Sequence, residues 1–163
     1  LMLAKKRSAL RRLQELQRDA KIEKRYLALL AGRTRKGRWR VDFPLRKNTL
    51  QGGERVVRVD PEGKPAATVF RKLEQFGDAM LVEATLETGR THQIRVHFSE
   101  AGLPLLGDQA YGGPKRVAGV VIPRQMLHAR SLAFAHPVTG KKMFFTSSLP
   151  LDFSSVLQSL EVA

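Results

Sequence analysis

The chain has 163 residues, 42% of them hydrophobic, which is long and apolar enough for a buried core; 29 Lys+Arg against 15 Asp+Glu leave a net charge of +14. The lack of cysteine excludes disulfides, thiolate zinc sites and a cysteine nucleophile, no apolar run reaches membrane-spanning length, and the N-terminus carries no signal-peptide apolar stretch. So large an excess of cations points to a polyanionic partner, nucleic acid first.

Leu1, Met2, Leu3 and Ala4 form an apolar run with no turn or cap ahead of it, and predict a buried strand. Ser8 is placed to cap a helix in which Leu10, Leu13 and Leu16 follow the 3.6-residue period. Lys5, Lys6, Arg7, Arg11, Arg12, Arg18, Lys21, Lys24 and Arg25 crowd this region against Glu15, Asp19 and Glu23. That is more positive charge than a solvated face requires, and it predicts contacts to a phosphate backbone. Residues 26–30 read as a short strand closed by Gly32. Residues 33–55 read as a basic, loop-rich segment in which Trp39 anchors the loop on the sheet. Residues 68–74 and 79–86 alternate apolar and polar around Phe76-Gly77-Asp78, a hairpin. A second hairpin joins 127–134 to 143–147 through the turn at 136–140. Pro150 then opens a terminal helix packed through Phe153, Val156, Leu157 and Leu160. No repeat, low-complexity tract or linker interrupts residues 1–163, which predicts one domain.

The most informative stretch runs from Glu87 to Gly113. Thr91 can cap a helix of about three turns whose Ile94, Phe98 and Ala101 share a face, with Gly102 and Pro104 as stop signals. Arg90, His92, Gln93 and Arg95 crowd its first turn, where a helix N-terminus already favours an anion. His92 and His97 lie five apart, the wrong spacing for a paired metal site, so the four histidines read as structural.

The run Thr88-Gly89-Arg90-Thr91-His92-Gln93-Ile94-Arg95-Val96-His97, continuing to Gly107-Asp108-Gln109-Ala110-Tyr111-Gly112-Gly113, resembles the third motif of the RluA-type pseudouridine synthases. Residues 46–65 resemble the insertion of the RluC-type enzymes acting on large-subunit ribosomal RNA. The resemblance implies an α+β fold: a mixed, mainly antiparallel sheet flanked by helices, with an N-terminal portion of the family's domain lying outside this chain. It implies an isomerase needing no metal or other cofactor, ribosomal RNA as partner, no membrane, and a cytoplasmic location. Arg95 matches the family arginine that pairs with the catalytic aspartate, and Tyr26 the active-site tyrosine. Lys5, Lys6, Arg7, Arg11, Arg12, Lys47, Arg90, His92 and Gln93 become the expected RNA contacts. The aspartate belongs to a His-Arg-Leu-Asp motif that this chain lacks; Asp19, Asp42, Asp60, Asp78, Asp108 and Asp152 all lie elsewhere. Asp108 reads as a turn residue bonding its own backbone. The chain alone is therefore expected to be inactive, and a missing strand to leave an edge that invites self-association. Two other readings stay open: a non-catalytic RNA-binding or ribosome-associated module, and, less favoured, a phosphate-handling enzyme using Arg90 and Arg95.

Overall fold

A computed structural model describes residues 2–49 and 55–163, with the side chains of Asn48, Thr49 and Arg55 left aside. Six strands form one sheet: β1 (Glu23–Ala31), β2 (Arg38–Val41), β5 (Thr68–Phe76), β6 (Ala79–Leu86), β9 (Leu127–Ala135) and β10 (Lys142–Thr146). The order is β10-β9-β1-β6-β5-β2, and every pair is antiparallel. Both expected hairpins are present, β5–β6 where the alternating pattern placed it and β9–β10 about the turn at 136–140. Two shorter pairs stand apart, β3 (Leu45–Thr49) with β4 (Arg55–Val59), and β7 (Arg116–Val117) with β8 (Val120–Val121).

Because successive strand side chains point to opposite faces, the sheet buries two apolar layers. On one face Ala28, Leu30, Phe70, Val82 and Ala84 meet Ile94 and Phe98 of α2 (Gln93–Glu100). On the other, Leu29 and Ala79 meet Phe153, Val156 and Leu160 of α3 (Leu151–Glu161), as the helical spacing of those three residues requires. Trp39 sits on β2 with its ring 5.6 Å from that of Phe70, anchoring the edge strand as expected.

Several sequence expectations give way. Residues 2–4 form no strand, and Leu3 is 81% exposed; without a ladder of hydrogen bonds, apolar character alone does not make a strand. Leu1 lies outside the described residues. Helix α1 (Arg7–Arg18) starts one residue before Ser8, with Lys6 at its N-cap and no side-chain capping bond. Helix α2 has eight residues, just over two turns, and begins after His92 rather than Thr91. Its end follows the pattern: Gly102 is left-handed at φ 73°, and its N–H and that of Leu103 bond the carbonyls of Ser99 and Phe98. Segment 33–55 is not simply loop but supplies β2 and β3.

Candidate functional site

The first turn of α2 is held by a closed hydrogen-bond network. Gln93 is 2% exposed, and its amide uses every donor and acceptor it has. Its Nε2 donates to the Ala67 carbonyl and Thr68 Oγ1, both at 2.9 Å; its Oε1 accepts from the Thr88 hydroxyl at 2.7 Å and the Arg90 N–H at 3.0 Å. The Thr68 hydroxyl passes its own proton to Nδ1 of buried His97 at 2.9 Å, and His97 Nε2 donates to the Phe43 carbonyl at 3.0 Å. Burial holds His97 below the usual imidazole pKa, so it stays neutral in this chain of bonds. Gln93 is thus a bracket joining β5, the Gly89-Arg90 corner and α2. Though Gln93 lines the cleft described below, its amide is fully engaged within the fold.

Arg95 points the other way from the helix. Its Nε and Nη2 hold the two carboxylate oxygens of Asp108 at 2.7 and 2.6 Å, a bidentate pair in which Asp108 is 2% exposed. That pair, followed by burial acting against it, leaves the guanidinium still harder to deprotonate. The Asp108 side chain therefore does not bond its own backbone, as a turn residue would; the carbonyl of Asp108 instead takes the N–H groups of Tyr111 and Gly113. The corner is tight: a Cβ on Gly113 would lie 1.9 Å from the Leu105 carbonyl oxygen. It delivers the Tyr111 ring to 4.7 Å from the Arg95 guanidinium carbon.

Arg95, His92, Arg90, Tyr26, Leu86 and Leu127 line one cleft of about 210 Å³. Tyr26 reaches it from β1 next to a bulge, where Arg25 pairs Ser131 but Tyr26 pairs Ala129. Its half-buried phenol is pushed above the usual value by desolvation. The two residues expected to be catalytic are thus brought together.

Arg90 is exposed, donates from Nε to the Pro65 carbonyl at 3.0 Å, and belongs to three adjoining depressions. One is the cleft. The second, about 470 Å³, lies between the β3–β4 hairpin and the Gly89-Arg90 corner, with Arg46, Lys47 and Lys64 on its walls. The third runs to Gln17 and Arg18 at the end of α1. Lys5, Lys6, Arg7, Arg11 and Arg12 are exposed earlier in the chain, on or just before α1; Arg12 donates to the Pro137 carbonyl at 2.7 Å. Among the described residues no three His, Cys, Asp or Glu side chains cluster as a metal site.

Tyr111 and Lys64 were not singled out from the sequence, and the carboxylate of Asp108 was read as a turn group. The signal for the first and last was present in the Gly107-Asp108…Tyr111-Gly112-Gly113 spacing, since glycines packed that closely fix the direction of the residues between them. His128, bonded to the Ser147 carbonyl and packed on Phe153, and His136, accepting turn N–H groups, occupy structural positions.

Residues 1–100 match the sequence model of the family described as RNA pseudouridylate synthase. The chain is 44% identical over 168 residues to the ribosomal large subunit pseudouridine synthase C of Escherichia coli K12, covering 100% of this chain and 53% of the relative. The Haemophilus ducreyi protein of the same description is 44% identical over 165 residues, covering 98% and 51%. That of Yersinia pestis is 46% identical over 155 residues, covering 93% and 48%. The chain spans about half the length of these curated relatives. Among solved structures, human RNA pseudouridylate synthase domain containing 4 aligns with TM-score 0.76 at 25% identity, covering 96% of this chain and 69% of that one. Human domain containing 1 aligns at 0.70 and 26%, covering 98% and 74%.

Proposed function

The chain belongs to the RNA pseudouridylate synthase family, and we propose that it forms the larger part of a catalytic site that isomerises uridine in large-subunit ribosomal RNA. The reaction breaks the bond between the ribose and the base nitrogen, turns the base, and rejoins it through carbon, so that a proton leaves the base and another returns to it. It is redox-neutral. Its reacting atoms are shielded in a stacked helix, so the nucleotide must be extruded into a pocket with an aromatic wall.

Tyr26 supplies that wall, and its phenol, kept protonated by burial, is positioned to exchange a proton with the base. Arg95 supplies the positive charge that keeps a catalytic carboxylate ionised in a site emptied of water. Its Nε and Nη2 are committed to Asp108. Nη1 is the group we assign to the catalytic aspartate, which would come from a His-Arg-Leu-Asp segment outside Leu1–Ala163. The basic surfaces beside Arg90 and along α1 would grip RNA backbone, with Lys47, Arg90 and the α1 cations as phosphate contacts. Acting on ribosomal RNA places the enzyme in the cytoplasm.

The observation that carries the reading is the meeting of Tyr26 and Arg95 in one cleft whose rim is cationic. It is tested with the intact natural protein on ribosomal RNA labelled with tritium at uridine C5, since rejoining through that carbon expels the label. Release supports the synthase. Tight RNA binding without release supports the non-catalytic RNA-binding module instead.

A further inference from the structure

His92 lines the cleft, and among the described residues only one of its ring nitrogens is engaged. The N–H of Val57 in β4 donates to the Tyr111 phenolic oxygen at 3.0 Å, and that oxygen lies 2.9 Å from His92 Nδ1. Val57 takes one lone pair of the Tyr111 oxygen, and among the described residues the other partner of the hydroxyl is His92 Nδ1. Donation of the hydroxyl proton to Nδ1 satisfies both groups and places the imidazole proton on Nε2. No described residue takes a hydrogen bond from Nε2, although the ring is half-buried and lines the cleft. The two rings meet edge to face at 81° with centroids 5.8 Å apart, which fixes the imidazole plane. The backbone at His92 is left-handed, φ 53°, a conformation retained where the surroundings demand it.

We propose that His92 is a base-recognition residue, whose Nε2–H, oriented by Tyr111 and the β3–β4 hairpin, donates to a carbonyl oxygen of the extruded pyrimidine. This rests on the synthase reading above. A neutral donor fits the surroundings of the ring: burial first, then the Arg95 charge, hold the imidazole below its usual pKa; Asp108 acts the other way and Lys47 adds to the lowering. Phosphate in this region already has Arg90, Lys47 and Lys64, so an uncharged donor suits a neutral carbonyl. The arrangement also gives the hairpin a role, because the Val57 amide begins the relay that sets the tautomer.

Two substitutions in the intact protein separate recognition from scaffolding. His92→Asn keeps an amide at the Nδ1 position against Tyr111, removes the group at Nε2, and tolerates the left-handed backbone. His92→Gln places an amide donor near Nε2 and gives up the Tyr111 contact. Recognition predicts that His92→Asn loses on the order of 10- to 100-fold in kcat/KM, with its melting temperature held, and that His92→Gln stays closer to wild type. The reverse order overturns it. The slope of RNA affinity against salt should match wild type in His92→Asn; a shallower slope would make His92 a charged phosphate contact and overturn the base assignment. Long-range proton–nitrogen spectra of histidine-labelled protein, with His92 assigned by its loss in the variant, decide the tautomer without any turnover. A proton on Nε2 alone near neutral pH is expected, and one on Nδ1 overturns the proposal. If the wild-type protein releases no tritium, the synthase reading fails, and the spectra still decide which nitrogen His92 presents.

Discussion

Arg95 has one observed partner and one proposed partner, and the two pull in different directions. As a partner for a catalytic carboxylate it should be replaceable without loss of fold, yet it also neutralises Asp108, whose carboxylate is 2% exposed. Removing one member of such a pair strands a buried charge, at a cost of about 3 kcal/mol. Arg95→Ala should therefore lower both activity and the urea midpoint. Asp108→Asn, which leaves a partly buried guanidinium beside a neutral amide rather than a fully buried anion without a partner, should cost less stability. A midpoint unchanged in Arg95→Ala would show that the pair contributes little in solution. Sequence reasoning found Arg95 through its resemblance but assigned Asp108 to a turn, because a side chain's partner thirteen residues away is set by the corner and not by local pattern. The internal bonds of Gln93 were hidden for a related reason. A polar residue in a first turn looks solvent-facing until β5 is seen packed against it.

The neutral histidines give a second residue-scale expectation. His97 and His92 have folded pKa values below the ordinary imidazole value, with burial as the leading cause of each. Above that ordinary value both states are neutral and nothing is gained or lost. As the pH falls through it, the unfolded chain takes up protons that the folded chain resists, so stability declines until the lowered folded values are also passed. Urea midpoints should hold above about pH 7 and fall between about pH 6.5 and 5. A flat profile across that range would contradict buried, neutral imidazoles.

At the level of elements, long periodic segments were legible and short ones were not. Alternation located β5 and β6, the turn at 136–140 located the β9–β10 hairpin, and the Phe153, Val156, Leu160 spacing located α3. Strand β2 has four residues, three of them Arg, Trp and Arg, and its pairing comes from β5 rather than from its own propensity. Residues 2–4 erred in the other direction, since an apolar run cannot report whether a ladder exists to receive it. The β9–β10 end of the sheet has a consequence of its own. Strand β10 is an edge in the described sheet, with Phe144 68% and Phe145 48% exposed. Residues 1–163 in isolation should associate through it, with sedimentation mass rising with concentration, and Phe145→Lys should weaken this. A strictly monomeric chain at high concentration would contradict it.

Over the whole molecule, charge and architecture converge on Arg90. A net charge of +14 suits a polyanionic partner but does not say where one would sit. The fold sets the groove under the β3–β4 hairpin, the end of α1 and the Tyr26–Arg95 cleft around one exposed arginine. The hairpin's contribution to the site was not readable in advance, because β3 and β4 form a separate small sheet joined to α2 through Leu45, Val57, Val96 and Tyr111. The central claim is that uridine reacts in the Tyr26–Arg95 cleft. The most direct test compares tritium release from C5-labelled ribosomal RNA by the intact protein and by its Tyr26→Leu variant, with RNA affinity measured beside it. Release by the wild type, and loss of at least about 100-fold in the variant with affinity nearly unchanged, is the predicted result. Comparable release by both proteins would place the chemistry elsewhere.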